Sequence, residues 1–285
     1  MVPRLTLTLL FVLLASLPRA AGADCAVRWR TLQKGVSYST VPVRCGGPLP
    51  LLEKVKIRDQ KLHVVRVDPA RVKLKVLMIS RRSGRKERNA GRTAARWARE
   101  QRLSVVINLG MYQNDHRTHV GYLRSGDHVN SRRWIPSYQS LLVMGPGAAL
   151  LDRDAPFDRD LKRYDTVVQN LRLIQRGRKG SGEGVWSEQQ KRWSEAALAM
   201  DDKGRLLFLF NRAPLSMWEL NRLLLKLPLG IVRAMHMEGG PEASLSIHAA
   251  GVNLDLCGSF ETGFVPDDSN SVQWPLPNVL GVARP

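Results

Sequence analysis

Apolar and polar positions along this chain come in short alternating or continuous runs, the pattern of strands rather than of long helices. Residues 62–67 and 72–79 alternate basic and apolar side chains, as half-buried strands do, and Asp68-Pro69 separates them. Residues 103–109 form a continuous apolar run, which predicts a central strand covered on both faces. Three hairpins are predicted: 120–129 about Ser125-Gly126, 140–151 about Gly145-Pro146-Gly147, and 196–210 about Asp202-Lys203-Gly204. A further strand is expected over 231–237.

Two segments carry helical spacing. In 85–102, Arg85, Arg88, Arg92, Arg96 and Arg99 recur every three or four residues, with Ala90, Ala94, Trp97 and Ala98 opposite them. The second helix starts at Ser216, where Glu219 completes a capping box. It runs through Leu220, Leu223, Leu224 and Leu227 until Pro228-Leu229-Gly230 stops it. Residues 176–184 read as a loop; their glycines lack the spacing of a nucleotide-binding loop.

The first 23 residues have the layout of a secretory signal: Arg4, an apolar run over 5–17, and Ala21-Gly22-Ala23 as a cleavage site. The apolar run is short for a membrane span, and no later run reaches that length. Asp24 argues against lipidation of Cys25. The expected organisation is therefore a signal peptide (1–23), an N-terminal extension (24–61) and one large domain (62–285), extracytoplasmic as a secreted or periplasmic protein. Of the three cysteines, Cys25 and Cys45 are expected to close a small structural disulfide loop, with Cys257 left alone. Without a Cys-x-x-Cys pair, thiolate metal sites are excluded.

Charge adds a second layer. The formal balance is +19, with 44 Lys and Arg against 25 Asp and Glu. From Ala234 onward only Arg284 opposes Glu238, Glu242, Asp255, Glu261, Asp267 and Asp268. A basic body thus surrounds an acidic C-terminal stretch. Such a body points to an anionic partner, and the signal peptide disfavours nucleic acid.

Candidate chemistry concentrates in two places. In the acidic stretch, Met235-His236-Met237-Glu238-Gly239-Gly240-Pro241-Glu242-Ala243-Ser244 places a carboxylate at a strand end before two glycines, whose N–H groups can form an anion-binding nest. Strand alternation sets His236 and Glu238 on the same face, where His236 is open to proton transfer, metal ligation or a purely structural role. His236-Met237-Glu238 also matches half of a zinc deaminase signature, whose Pro-Cys-x-x-Cys half is missing. The second place is Ile107-Asn108-Leu109-Gly110-Met111-Tyr112 followed by His119-Val120-Gly121-Tyr122, where a strand ends in an amide suited to orienting a hydroxyl or phosphate oxygen. Asp115, His116 and His119 in the same loop fit no strong metal motif and read as surface residues.

These segments, together with Gln169-Asn170 and the Leu-rich helix, give the region from about Leu62 to Ala283 a pattern that resembles the phosphodiester glycosidase family. The resemblance implies an α+β fold, a mixed, strand-rich sheet core with a few packed helices. It also implies hydrolysis of a sugar-1-phosphodiester or related glycosidic bond. Asn108, Gly110, Gly121, Gly239, Gly240 and Ser244 match the family's pattern, as does Glu238 in its acidic character. Three positions depart from it: Glu238 and His236 stand where Asp and Asn are common, and Glu195 where Arg is frequent.

The reading assigns Glu238 as base or electrostatic stabiliser, Asn108 as positioner, His236 as proton shuttle or ligand, and Glu195 as a second carboxylate. Gly110, Gly121, Gln169, Asn170, Gly239, Gly240 and Ser244 are expected to contact substrate, with Arg172 replacing a lost phosphate contact. No cofactor is required, a divalent cation is left open, and the sequence carries no signal for an oligomeric state. The partner expected is a phosphorylated or otherwise anionic glycan. The competing reading is a non-catalytic binder of anionic envelope polymers that uses the arginine stripe of 85–102.

Overall fold

The computed structural model describes residues 24–81, 91–153, 161–175 and 186–285. The signal-peptide reading of 1–23, the 176–184 loop and the part of the arginine segment at 82–90 lie outside these residues.

Three sheets build the described part. The seven-stranded sheet runs, edge to edge, Arg30–Gln33, Val36–Pro42, Lys61–Val67, Leu206–Leu215, Trp193–Asp201, Ile231–Gly239 and Arg172–Ile174. One five-stranded sheet is ordered His128–Ser131, Leu123–Ser125, Thr166–Asn170, Ser140–Met144 and Ala148–Asp152. The other is Val252–Cys257, Ser244–Ala249, Leu103–Asn108, Asn278–Ala283 and Leu74–Met78. The strand-rich core with few helices is as expected. Pairing is antiparallel throughout these sheets, where the resemblance implied a mixed sheet. Short hairpin links such as Asp202-Lys203-Gly204 dictate that direction, since parallel neighbours need long crossovers.

Strand alternation explains how the large sheet is covered on both faces. Ala196, Leu198, Phe208 and Phe210 point into a central core shared with the two smaller sheets. Their neighbours Ala197, Ala199, Leu207 and Leu209 point the other way, under helix Met217–Lys226 and the short helix Leu51–Lys54. The longer helix begins as its capping box dictates, with Ser216 Oγ accepting from Glu219 N and Glu219 Oε2 accepting from Ser216 N. Cys25 and Cys45 are joined by a disulfide, and Cys257 is a free, buried thiol.

The arginine segment differs from expectation. The helix spans only Ala94–Gln101, capped by Thr93. Arg92 lies before it in extended backbone bridged to Leu276, because Gly91 packs on Pro275 too closely for any Cβ. Arg92 is 4% exposed and paired with Glu100 at 2.6 Å, so it presents no cation to a polymer. Arg96 shares the same Glu100. Among the described residues no helix is long and apolar enough to cross a membrane.

Candidate active site

The chain leaves the large sheet at Gly239, turns through Gly240–Glu242, and enters a five-stranded sheet at Ser244. Gly240 has φ +63°, and a Cβ there would meet Glu261 Oε2 at 2.3 Å, so the turn demands glycine. Gly239 is required for a different reason: the Trp193 ring sits where its Cβ would be. Just before the turn, Ala196 pairs with Glu238 and Ala197 with His236, leaving Met237 as the extra residue of a bulge. Met237 is buried in the central core, while His236 and Glu238 line one cavity of about 390 Å³.

Glu195 stands behind His236. Its Oε1 lies 2.5 Å from His236 Nδ1, and its Oε2 accepts from Trp193 Nε1 at 2.5 Å. Both carboxylate oxygens are thereby occupied, and Glu195 does not line the cavity. Burial pushes the Glu195 pKa up, against the pull of His236. For His236 burial works downward, but the Glu195 carboxylate, with Glu238 and Glu261 behind it, leaves the imidazole raised. Two raised groups in contact hold a proton between them as a unit.

Glu238 is half-buried, and loss of hydration pushes its carboxyl up to about 8 despite the neighbouring His236; Glu242 adds to the rise. The rise favours the protonated form at neutral pH, which suits an acid, where the sequence reading expected a base or electrostatic stabiliser. Its Oε1 accepts from Gly239 N at 3.2 Å, so this amide of the anticipated anion nest already serves the carboxyl.

Gly110 supports Glu238 from the other side. A Cβ at 110 would come 2.5 Å from Glu238 Oε2 and 2.7 Å from Met237 O. The Gly110–Met111 peptide is cis, and the Gly110 carbonyl accepts from Asn170 Nδ2 and from His119 Nε2. His119, expected at the surface, is fully buried. Its Nδ1 accepts from Gly121 N at 3.0 Å, which assigns the proton to Nε2, and burial holds its pKa down. Asp115 and His116 are exposed, as expected.

The remaining expected residues build the walls behind the cavity rather than lining it. Asn108 Oδ1 accepts from Ser244 N, fastening two strands where the turn enters the sheet. Gln169 donates to the carbonyls of Ile135 and Tyr138 and accepts from Ile135 N, and Gly121 leaves room for its backbone. Arg172, expected to contact phosphate, bonds Gln139 and Asp152, is 10% exposed in its side chain and does not line the cavity.

The cavity brings in residues the sequence reading missed: Tyr112, Trp186, Trp193, Glu242 and Glu261. The aromatic rings offer faces for a sugar, and the carboxylates are raised chiefly by burial. Glu242 and Glu261 were visible only as part of the acidic C-terminal stretch. Among the described residues no group of three or more His, Cys, Asp or Glu is arranged to hold a metal ion.

The profile of the phosphodiester glycosidase family matches residues 101–283, more than half of the chain. No curated protein matches in sequence. Among solved structures, the chain is similar to a hypothetical protein from Synechocystis, with TM-score 0.59 and 14% identity. That similarity covers 90% of this chain and 63% of the other, so the chain spans less than two thirds of that relative. It is also similar to the catalytic domain of zebrafish N-acetylglucosamine-1-phosphodiester α-N-acetylglucosaminidase, auto-inhibited by its pro-peptide. There the TM-score is 0.55 and the identity 13%, over 91% of this chain and 88% of the other. At these identities the likeness establishes the fold.

Proposed function

The chain belongs to the phosphodiester glycosidase family, and from that premise we propose that it hydrolyses the glycosidic bond of a sugar-1-phosphodiester in the cavity around Glu238. The observation that carries the reading is Glu238, half-buried beside the Glu195–His236 pair in a cavity walled by aromatic rings, where burial pushes its carboxyl up.

A phosphate monoester is a weakly basic leaving group, so the enzyme's tasks are to support positive charge at the anomeric carbon and to place water. A neutral Glu238 does not repel the phosphodiester. As the bond from the anomeric carbon to the bridging oxygen breaks, Glu238 gives its proton to that oxygen. Water bonds to the anomeric carbon, and its proton passes to the carboxylates available in the same cavity, Glu242 and Glu261. The Glu195–His236 pair lies where the imidazole favours the carboxylate left behind on Glu238.

The Cys25–Cys45 disulfide supports an extracytoplasmic location, because such bonds persist in oxidising compartments. The test is turnover of a panel of sugar-1-phosphodiesters by the purified protein and by Glu238→Gln. Loss of about 100-fold or more in kcat/KM is expected, and undiminished hydrolysis by the variant overturns the assignment.

A further inference from the structure

At the end of the large sheet away from Glu238, a cavity of about 420 Å³ opens beside the turn Lys34-Gly35. Lys34, Arg66, Arg71 and Arg205 line it, against one carboxylate, Asp68. We propose that this cavity is a second binding site, which takes the anionic group of a sulfated or phosphorylated glycan. It stands apart from the glycosidase reading of the first cavity.

Distance separates the two sites. Glu195 pairs with Gly239 at one end of strand Trp193–Asp201, and Asp201 pairs with Ile231 at the other. There Asp201 Oδ2 holds Arg205 Nε at 2.7 Å. A strand advances about 3.3 Å per residue, so about 20 Å lies between Glu195 and Asp201. A small substrate does not fill both cavities, and these cations serve something other than the reacting bond.

The sheet itself supplies the lining. Thr31 pairs with Ser37, Ser37 with Arg66 and Arg66 with Leu207, so these side chains share one face. Farther along, that face carries Leu62, Val64 and Leu209 beneath the helices. Where the helical cover ends, it turns from apolar to hydroxyl and guanidinium. The frame is closed by backbone rather than by the cations: Asp68 N donates to Gly35 O at 2.8 Å and Arg71 N to Asp68 O at 3.0 Å.

The charge is not neutralised from within. Asp68 accepts from Ala70 N and pairs with Arg71, and Asp201 pairs with Arg205. Lys34 and Arg66 make no ion pair among the described residues. The Arg66 guanidinium is held instead over the Trp29 ring, 4.0 Å from its centroid. Burial and then Arg205 press its pKa down against the pull of Asp201, as for a cation short of a counter-charge.

The lining also selects the class of anion. Thr31, Ser37 and Gln33 offer hydroxyl and amide groups, and no aromatic ring is among the described lining, so a nucleobase finds no face to stack on. Sugar hydroxyls bond to such groups, while a sulfate or phosphate between Lys34 and Arg66 gains charge-assisted hydrogen bonds.

The test is calorimetry on the full chain, with sulfated maltotetraose as probe, maltotetraose as the uncharged control and inorganic sulfate as the free anion. Saturable binding of the sulfated sugar is expected, at least about tenfold tighter than that of either control. Lys34→Glu and Arg66→Ala should each weaken it at least about fivefold, with part of the loss recovered in Arg66→Lys. Arg99→Ala removes the same charge from an exposed position on helix Ala94–Gln101 and should change the affinity less than about twofold. No saturable binding by the wild type, or an equal loss in Arg99→Ala, overturns the site. Inorganic sulfate bound as tightly as the sulfated sugar overturns the glycan class. Thermal melts check that each variant folds, and Lys34→Glu, on an exposed turn, decides the matter where Arg66→Ala does not fold.

Discussion

Glu195 and His236 meet across two neighbouring strands, carboxylate oxygen to Nδ1 at 2.5 Å, with both side chains out of solvent. A carboxylate behind an imidazole fixes its tautomer and strengthens its hold on a proton. The sequence pointed to Glu195 as a second catalytic carboxylate. In the structure Glu195 does not line the cavity and reaches it through His236 and Trp193, the arrangement of a positioning residue.

Glu195→Gln tests that role. The amide keeps the shape and an oxygen for Trp193 while removing the charge that offsets the burial of His236. The His236 pKa is expected to fall, read by NMR titration of the labelled imidazole. Activity should fall with it, mainly in kcat. An unchanged titration would show that the pair does not govern the proton.

Under the proposed function, Glu238 is expected to set the alkaline limb of activity. Since the protonated form is the working acid, kcat/KM should decline as pH rises through about 8, and Glu238→Gln should lose that limb along with most turnover. Stability moves the same way. The raised pKa means that, between the ordinary 4.5 and about 8, the folded protein holds a proton that the unfolded chain has released. Stability is therefore lost as pH climbs through that window, and the glutamine variant escapes the loss. Its melting temperature should exceed the wild type's at pH 8, and a lower one would contradict the placement of the group.

Gly110→Ala should separate close approach from mere loop flexibility. The new methyl would press on Glu238 Oε2 and Met237 O, displacing the acid from the cavity wall. A destabilisation of about 1–3 kcal/mol is expected, with a fall in kcat larger than that of Gly147→Ala, whose Cβ meets nothing within 4 Å. Comparable activity in the two variants would remove Gly110 from the account.

Local pattern carried much of this fold into the sequence. The three hairpins, the buried strand before Leu109 and the Ser216–Glu219 cap are written in turn residues and periodicity, and each forms where those signals stand. The arginine helix was overread because charge spacing says nothing of Gly91 packing on Pro275, a contact between segments far apart in the chain. The site divided the same way. His236 and Glu238 were legible as neighbours on one strand, whereas Glu261 and Trp193 meet only through an isolated bridge from separate segments. His119 was misplaced at the surface because its burial depends on the Gly110 carbonyl, which tertiary folding alone supplies.

Arg92 and Arg96 provide a test of the arginine segment that is independent of catalysis. Both pair with Glu100, but the Arg92 side chain is 5% exposed and that of Arg96 48%. Arg92→Ala removes a buried guanidinium that packs over the Trp97 ring as well as its pair to Glu100, which keeps Arg96, so it is expected to cost more than the exposed truncation. Arg96→Ala should cost under about 1 kcal/mol, as exposed helix pairs do. Denaturant unfolding measures both, and equal losses would contradict the difference in burial.

The disulfide closes a loop at the edge of the large sheet, between residues 20 apart in sequence. Beside it, Gly46 packs directly on Leu223 of helix Met217–Lys226, so the crosslink secures the segment that covers that face of the sheet. A loop of this length contributes about 3 kcal/mol through the unfolded chain. Replacing Cys25 and Cys45 together by serine should therefore lower the melting temperature while leaving KM unchanged, because neither residue lines either cavity. The comparison is a thermal melt of wild type and variant under non-reducing conditions, alongside their kinetics. A shift in KM at full folding would tie the N-terminal segment to the site, and an unchanged melting temperature would show that the crosslink stabilises nothing.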